Sequence, residues 1–251
     1  AYGITGDPAL LSISRKQGDV VLSGAGMALA RGLAQQMDEP FPFQSMQFSD
    51  GALGDRGALA ILRSGSEPGH QAVVMKNTSQ GLGHGHFDKL SWLYYANGDE
   101  IVQDYGAARF LNIEPKEGGH YLPENETWAK QTIAHNTLVV DQTSHFDGDP
   151  DLAETRWPTT LQFDITNSIE LVSAQMQGAY ADVDFVRTLA LIKDPDLEFP
   201  FVLDILNARG EQAHQFDLPV HYNGHLINAN FPMHTNTARM ETLGSANGYQ
   251  H

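Results

Sequence analysis

The run Leu90-Ser-Trp-Leu-Tyr-Tyr-Ala96, then Asn97-Gly98, then Glu100-Ile-Val-Gln-Asp104 leaves this chain little choice of local structure. A two-residue hairpin turn needs positive φ at both positions, which Asn and Gly tolerate, and the flanking runs are rich in aromatic and β-branched residues. The spacing predicts an antiparallel hairpin in which residue 96 faces residue 99. On that register Asp104 lies opposite Ser91, at the open end of the hairpin. From about Gln47 onward the same texture continues as short apolar or alternating runs separated by Gly, Asn, Asp and Pro. Further strands are expected at 58–62, 72–75, 137–140, 169–173, 185–192, 199–206 and 213–218.

Upstream, Val21, Leu22, Met27, Leu29, Leu33 and Met37 recur at loosely helical spacing until Glu39-Pro40 closes the segment. That pattern predicts one helix over 18–37. The expectation is a mainly β protein: a short helical lead-in, residues 1–45, joined to a large antiparallel β-sheet domain, residues 46–251.

Charge narrows the function. The 15 basic and 31 acidic side chains give a formal net charge of −16, with no basic run. Nucleic-acid binding needs clustered Lys and Arg, so it is not expected. A polyanionic substrate would meet a repulsive overall field and depend on local cations such as Arg63, Lys76, Lys89, Arg109 and Lys130. The chain has no cysteine, which removes thiolate metal sites and thiol nucleophiles. Any metal must be held by His, Asp, Glu or backbone oxygen. No apolar run reaches the roughly 20 residues of a membrane-spanning helix, and membrane insertion is not expected.

The segment Gly81-Leu-Gly-His-Gly-His-Phe-Asp-Lys-Leu90 places two His, one Asp and three Gly in ten positions. His-x-His on extended chain sets both imidazoles on one face, roughly 6–7 Å apart. One ring can bind a metal while the other points into a neighbouring cavity. A polar turn carrying surface histidines is the competing reading. If the loop folds back over the hairpin end through Gly83 and Gly85, His86 and Asp104 can share an ion. A third element, Thr132-Ile-Ala-His-Asn-Thr-Leu-Val-Val140, holds His135 just ahead of an apolar strand. Two imidazoles and a carboxylate suit Zn²⁺; a buried His135 bonded to backbone is the alternative.

Together, Gly83-His-Gly-His-Phe-Asp-Lys-Leu90, Gln103-Asp-Tyr-Gly106 and Lys130-Gln-Thr-Ile-Ala-His-Asn-Thr137 resemble the heparinase II/III-like superfamily of lyases, and among them the oligoalginate lyases of polysaccharide lyase family 17. Val186-Arg-Thr-Leu-Ala190 and Phe201-Val-Leu-Asp204 resemble its later strands. The resemblance implies stacked antiparallel β-sheets preceded by an α/α toroid, of which residues 1–45 would be the end. It implies β-elimination on a uronate-containing polysaccharide, most closely alginate oligomers, with a bound zinc ion. By position it makes His86, Asp104 and His135 the zinc ligands and His84 an active-site histidine. Tyr121 becomes a substrate-contacting tyrosine of the catalytic group and Arg109 a carboxylate-binding residue. The family's main catalytic tyrosine and an Asn-His pair lie in the toroid, so this chain is read as a fragment that binds metal without turnover.

Further expectations are a homodimer and a periplasmic or secreted bacterial location. Two rival classes remain at this point: a cupin-like metal oxidoreductase, and a non-catalytic carbohydrate-binding β module using Trp92, Trp128 and Trp157. Asp147-Gly-Asp-Pro-Asp151 lacks the later bidentate Glu of a calcium loop and is read as a turn. Histidines 70, 120, 145, 214, 221, 225, 234 and 251 show no consistent partner set in the sequence.

Overall fold

A computed structural model of the chain describes residues 1–65, 70–79, 84–104, 106, 122–236, 239 and 241–251. Two compact units are present, Ala1–Gln44 and Ser45–His251. Arg109 and Tyr121 fall outside the described residues.

The first unit is helical: α1 (Tyr2–Thr5), α2 (Ala9–Gln17) and α3 (Ala25–Ala34). The single helix expected over 18–37 is therefore corrected. Gly18, at φ 86°, ends α2 before that span begins, and the chain re-enters helix only at Ala25. Apolar spacing alone does not register such a left-handed break, because it carries no information on φ. Gly32 lets α3 approach the fully buried Leu11 of α2, since a Cβ there would sit 2.8 Å from the leucine side chain. No helix among the described residues is long and apolar enough to cross a membrane.

The second unit is antiparallel β. One sheet runs in simple order through β1 (Met46–Ser49), β2 (Gly57–Arg63), β3 (Ala72–Thr78), β4 (Ser91–Ala96) and β5 (Asp99–Val102). The other has the order β10-β9-β8-β7, with β7 (Thr159–Ile165), β8 (Ile169–Met176), β9 (Val183–Ile192) and β10 (Phe201–Gly210). A short pair joins β6 (Val139–Val140) to β11 (Phe216–Asp217). Strands β1 and β7 were not expected from the sequence, although Met46-Gln-Phe-Ser49 and Leu161-Gln-Phe-Asp-Ile165 alternate apolar with polar residues; most of their positions are half-exposed or exposed. The two sheets stack. Ala60, Leu62, Val73 and Met75 of the first pack in one cluster with Val172, Ala174, Met176, Phe185, Leu189 and Leu191 of the second. These positions alternate along their strands, as a face-to-face core requires.

The predicted turn is present. Ala96 pairs with Asp99, and Asn97 and Gly98 take φ of 56° and 87°. The register beyond it is corrected. Tyr95 faces Glu100 but Tyr94 faces Val102, so one extra residue is bulged out of β5. The bulge moves Asp104 one position from the Ser91 level, toward Trp92, and bends the strand end. Gln103 then leaves β4 and donates its N–H to the carbonyl of His221. The segment around Asp147 is not a plain turn either. A 3-10 turn over His145–Gly148 leads into α4 (Pro150–Glu154), capped by the Asp149 side chain on the N–H groups of Asp151 and Leu152.

Candidate functional site

Loop 84–90 does fold back, and its backbone shows how. Phe87 donates its N–H to the Lys130 carbonyl at 3.0 Å, and the Phe87 carbonyl accepts from the Thr132 hydroxyl at 2.7 Å. The Lys89 carbonyl accepts from the Thr137 hydroxyl at 2.6 Å. Leu90 takes a left-handed φ of 60° and donates its N–H to the Lys76 carbonyl of β3. A leucine in that conformation is strained, and it persists because both neighbouring segments fix the chain around it. From Phe87 to Leu90 the loop is buried, while His84 at its start is exposed and His86 lies between.

His135 is fully buried at the end of a 3-10 turn, Thr132–Ala134. Its Nδ1 lies 3.1 and 3.0 Å from the two carboxylate oxygens of Asp104. The His86 ring is 5.1 Å from the His135 ring, centre to centre. His86, Asp88 and His135 each present a ligand atom within 4.8 Å of the others, forming a metal-capable group among the described residues. The structure thus brings His86 and His135 together and flanks them with two carboxylates. Asp104 meets His135, and Asp88 belongs to the group. The sequence segment contained Asp88, but no role was assigned to it. The signal available was its spacing, two residues beyond His86.

Electrostatics sort these carboxylates. The Asp88 side chain is almost wholly buried and ion-paired to Lys76. Burial alone would raise its pKa, but Lys76, His135 and Lys89 outweigh this and hold it below the ordinary carboxylate value. Burial likewise opposes ionisation of Asp104. The hydrogen bond and charge of His135, the Gly106 N–H and Lys76 prevail, leaving Asp104 far below the usual range. Burial, then repulsion from His135, pushes His86 down to about 4. It is a neutral imidazole near pH 7, the form that ligates metal. The Nε2 of His135 is buried with no hydrogen-bond partner among the described residues. Neutral imidazole at His86, a ring nitrogen of His135 and ionised carboxylates are a donor set that fits a divalent cation such as Zn²⁺.

Two residues that sequence reasoning passed over hold this arrangement. Asn136, fully buried, donates to the carbonyls of Trp92 (3.0 Å) and Gln103 (2.8 Å) and accepts from the His221 N–H (2.6 Å). His145, also fully buried, contacts the Leu138 carbonyl through Nε2 at 3.1 Å and accepts the Lys89 N–H on Nδ1 at 3.3 Å. These partners assign the Nε2–H tautomer. Burial, then Lys89, pushes His145 down to about 3.

A pH prediction follows from that value. The unfolded chain protonates this histidine near the ordinary 6.5, whereas the folded chain resists until about 3. Its contribution is therefore present above pH 6.5 and lost as pH falls through that window, at about 1.4 kcal/mol per unit. Urea midpoints between neutral pH and the acid range should show a slope that His145→Gln flattens. An equal slope in the variant would contradict the assignment.

Other histidines find partners too. His214 lies between Asp141 (2.6 Å) and Asp182 (3.0 Å), and their hydrogen bonds raise its pKa. That pairing spans three distant loops and has no local sequence signature.

With this geometry in place, comparison with known proteins is informative. The profile described as heparinase II/III-like, C-terminal, matches residues 47–250. The chain is 51% identical over 250 residues to an exo-oligoalginate lyase of Saccharophagus degradans, covering all of this chain and 34% of that protein. It is 50% identical over 251 residues to an alginate lyase of Stenotrophomonas maltophilia, again covering all of this chain and 34% of the other. The chain thus spans about a third of the length of these relatives. Among solved structures, a heparinase III gene product aligns with a TM-score of 0.59 at 16% identity, over 88% of this chain and 30% of that one. Heparan sulfate lyase HepC from Pedobacter heparinus aligns at 0.54 and 17%, over 75% and 26%. At such identities the structural likeness bears on the fold alone.

Proposed function

We propose, from the premise that the chain belongs to the heparinase II/III-like, C-terminal family, that it is the β-sheet part of a polysaccharide lyase acting on alginate oligomers. The observation that carries this reading is the identity of about half of all positions, over the whole chain, with two proteins named as alginate lyases. The loop that starts at His84 and its anchor at His135 supply the local chemistry that such an activity needs.

Cleavage of a uronate chain by β-elimination removes the proton at C5 and expels the oxygen at C4, leaving an unsaturated sugar. The C5 proton becomes acidic enough only when the adjacent carboxylate is neutralised, and a base and an acid must lie within hydrogen-bond reach. His84, exposed at the head of a loop that is buried from Phe87 onward, is the residue here suited to proton transfer. Arg109 and Tyr121 are proposed for the carboxylate and the sugar, on the resemblance alone. The remaining catalytic groups are assigned to the helical part of the intact protein, of which Ala1–Gln44 would be the end.

His86, His135 and Asp104 are proposed to hold zinc. Bound there, the ion supplies Lewis acidity or, as we favour, fixes the His84 loop. Fixing falls to the residues already in place: Thr132 and Thr137 hold the loop backbone, and Asn136 holds the segment that carries Asp104.

The test is an assay of the intact protein on alginate, heparan and other uronates, read by the ultraviolet absorbance of the conjugated enoate. Enoate from alginate oligomers is expected, and His84→Ala should lower kcat by about 100-fold to 10,000-fold. Oligosaccharide binding with no enoate from any uronate would instead make the chain part of a carbohydrate-binding protein. Chelation should lower the melting temperature.

A further inference from the structure

Strand β9 carries an anomaly. Val183, Phe185, Leu189 and Leu191 all point into the core at alternate positions, and the residue between them on that face is Arg187. Its side chain is fully buried. A guanidinium in that position carries a desolvation cost of several kcal/mol unless nearly every donor is matched. Four of its five N–H donors are matched. Nε and Nη2 form a fork on the Asp204 carboxylate of β10, at 2.8 and 2.6 Å. Nη1 donates to two backbone carbonyls, that of Leu90 at 3.0 Å and that of Asn136. The cation also lies 5.7 Å from the centre of the Trp92 ring.

Those two carbonyls are what give the contact its meaning. Leu90 is the strained residue that ends the His84–Lys89 loop, and Asn136 directly follows His135. They are 46 residues apart in sequence, and one planar group holds both. No other described side chain donates to the loop end and to the His135 segment together while anchored in the second sheet. We infer that Arg187, locked by Asp204, is a positioning residue that sets the loop of His86 and Asp88 against His135. It touches neither substrate nor ion and acts through the backbone. Lysine cannot reproduce it, because an ammonium offers no planar fork to hold the carboxylate and two carbonyls in one plane.

This inference rests on the reading of the site given above. The experiment titrates the intact protein with Zn²⁺ in competition with a chromophoric chelator, and records the imidazole nitrogen resonances of His86 and His135. Arg187→Lys, Asp204→Asn and a control, Glu170→Gln, are compared. Glu170 is a buried, ion-paired residue of β8, hydrogen-bonded to Lys193 at 2.6 Å, and its strand partner Leu191 is four residues along β9 from Arg187. All three variants should lower the melting temperature. Arg187→Lys and Asp204→Asn should also weaken Zn²⁺ binding by about 10- to 100-fold and move both imidazole signals. Glu170→Gln should do neither. If the Arg187 and Asp204 variants behave like the control, Arg187 is a core ion pair only and the inference falls. If Arg187→Lys does not fold, Asp204→Asn decides, since it keeps the side-chain shape. If the unaltered protein binds no Zn²⁺, the metal reading fails by itself, and the imidazole signals alone then support or overturn the positioning role.

Discussion

Replacing Asn136 with alanine is expected to cost about 4 kcal/mol of stability, an unusually large loss for a residue with no charge and no apolar bulk. Its amide satisfies the carbonyls of Trp92 and Gln103 and the N–H of His221, all in a region with no exposure at Asn136 itself. Truncation leaves the buried Trp92 carbonyl and the half-buried Gln103 carbonyl and His221 N–H unpaired, each costing on the order of 1–3 kcal/mol. A second effect should accompany the first. Gln103 precedes Asp104, and the bulged end of β5 has left its ladder there, so Asn136 replaces the strand bonding that the bulge removed. Asn136→Ala should therefore free the Asp104 segment. Urea unfolding measures the first effect. Hydrogen exchange at residues 103 and 104, faster than at residues of β9, measures the second. A variant within about 1 kcal/mol of the parent, below the usual range for a buried hydrogen-bond network, would show that water or the unmatched carbonyls compensate.

The same residues show what the sequence did and did not disclose. Asn97-Gly98 named its turn correctly, because two positive φ values in succession are a strictly local demand. The bulge four residues later was invisible. It reflects how β5 must bend to hand Gln103 to His221, a partner 118 positions away. The apolar runs of β2, β3, β8 and β9 stood out in the sequence, whereas the short alternations Met46-Gln-Phe-Ser49 of β1 and Leu161-Gln-Phe-Asp-Ile165 of β7 were overlooked. The helix prediction failed over 18–24, where Val21 and Leu22 match the apolar spacing but lie exposed between Gly18 and Gly24, both at positive φ.

In the site, His86 and His135 were legible because three separate segments together resemble one lyase family; each histidine taken alone had an ordinary reading as a surface turn or a buried backbone-bonded ring. Asp88 was passed over because its partner Lys76 lies on β3, outside the loop that carries Asp88. Arg187 was quoted only as part of a strand. Its meaning depends on two carbonyls 51 and 97 residues away, and backbone carbonyls carry no sequence label.

The largest effect on the site itself is expected from His135→Ala, which should abolish Zn²⁺ binding, and the two flanking carboxylates then say where the ion sits. Asp88 is committed: Lys76 occupies one of its oxygens, and the Asp88 side chain itself is almost wholly buried. Among the described residues Asp104 is held by His135 and the Gly106 N–H, and burial notwithstanding it remains ionised. Its oxygens stand 3.0 and 3.1 Å from Nδ1, close to the roughly 3.3 Å that separates adjacent ligands around a tetrahedral ion with bonds of about 2.0–2.1 Å. An ion can enter there by displacing one hydrogen bond, whereas recruiting Asp88 would disturb the ion pair that neutralises a buried carboxylate. Asp104→Asn is therefore expected to weaken Zn²⁺ binding by more than about 100-fold with the fold intact. Asp88→Asn should instead lower the melting temperature, because Lys76 loses its counter-charge. The reverse pattern would place the ion on the orphaned Nε2 of His135, with Asp104 reduced to orienting the ring through Nδ1–H. Calorimetric titration with Zn²⁺, run beside thermal unfolding of both variants, separates these arrangements, since each ties one carboxylate to one ring nitrogen.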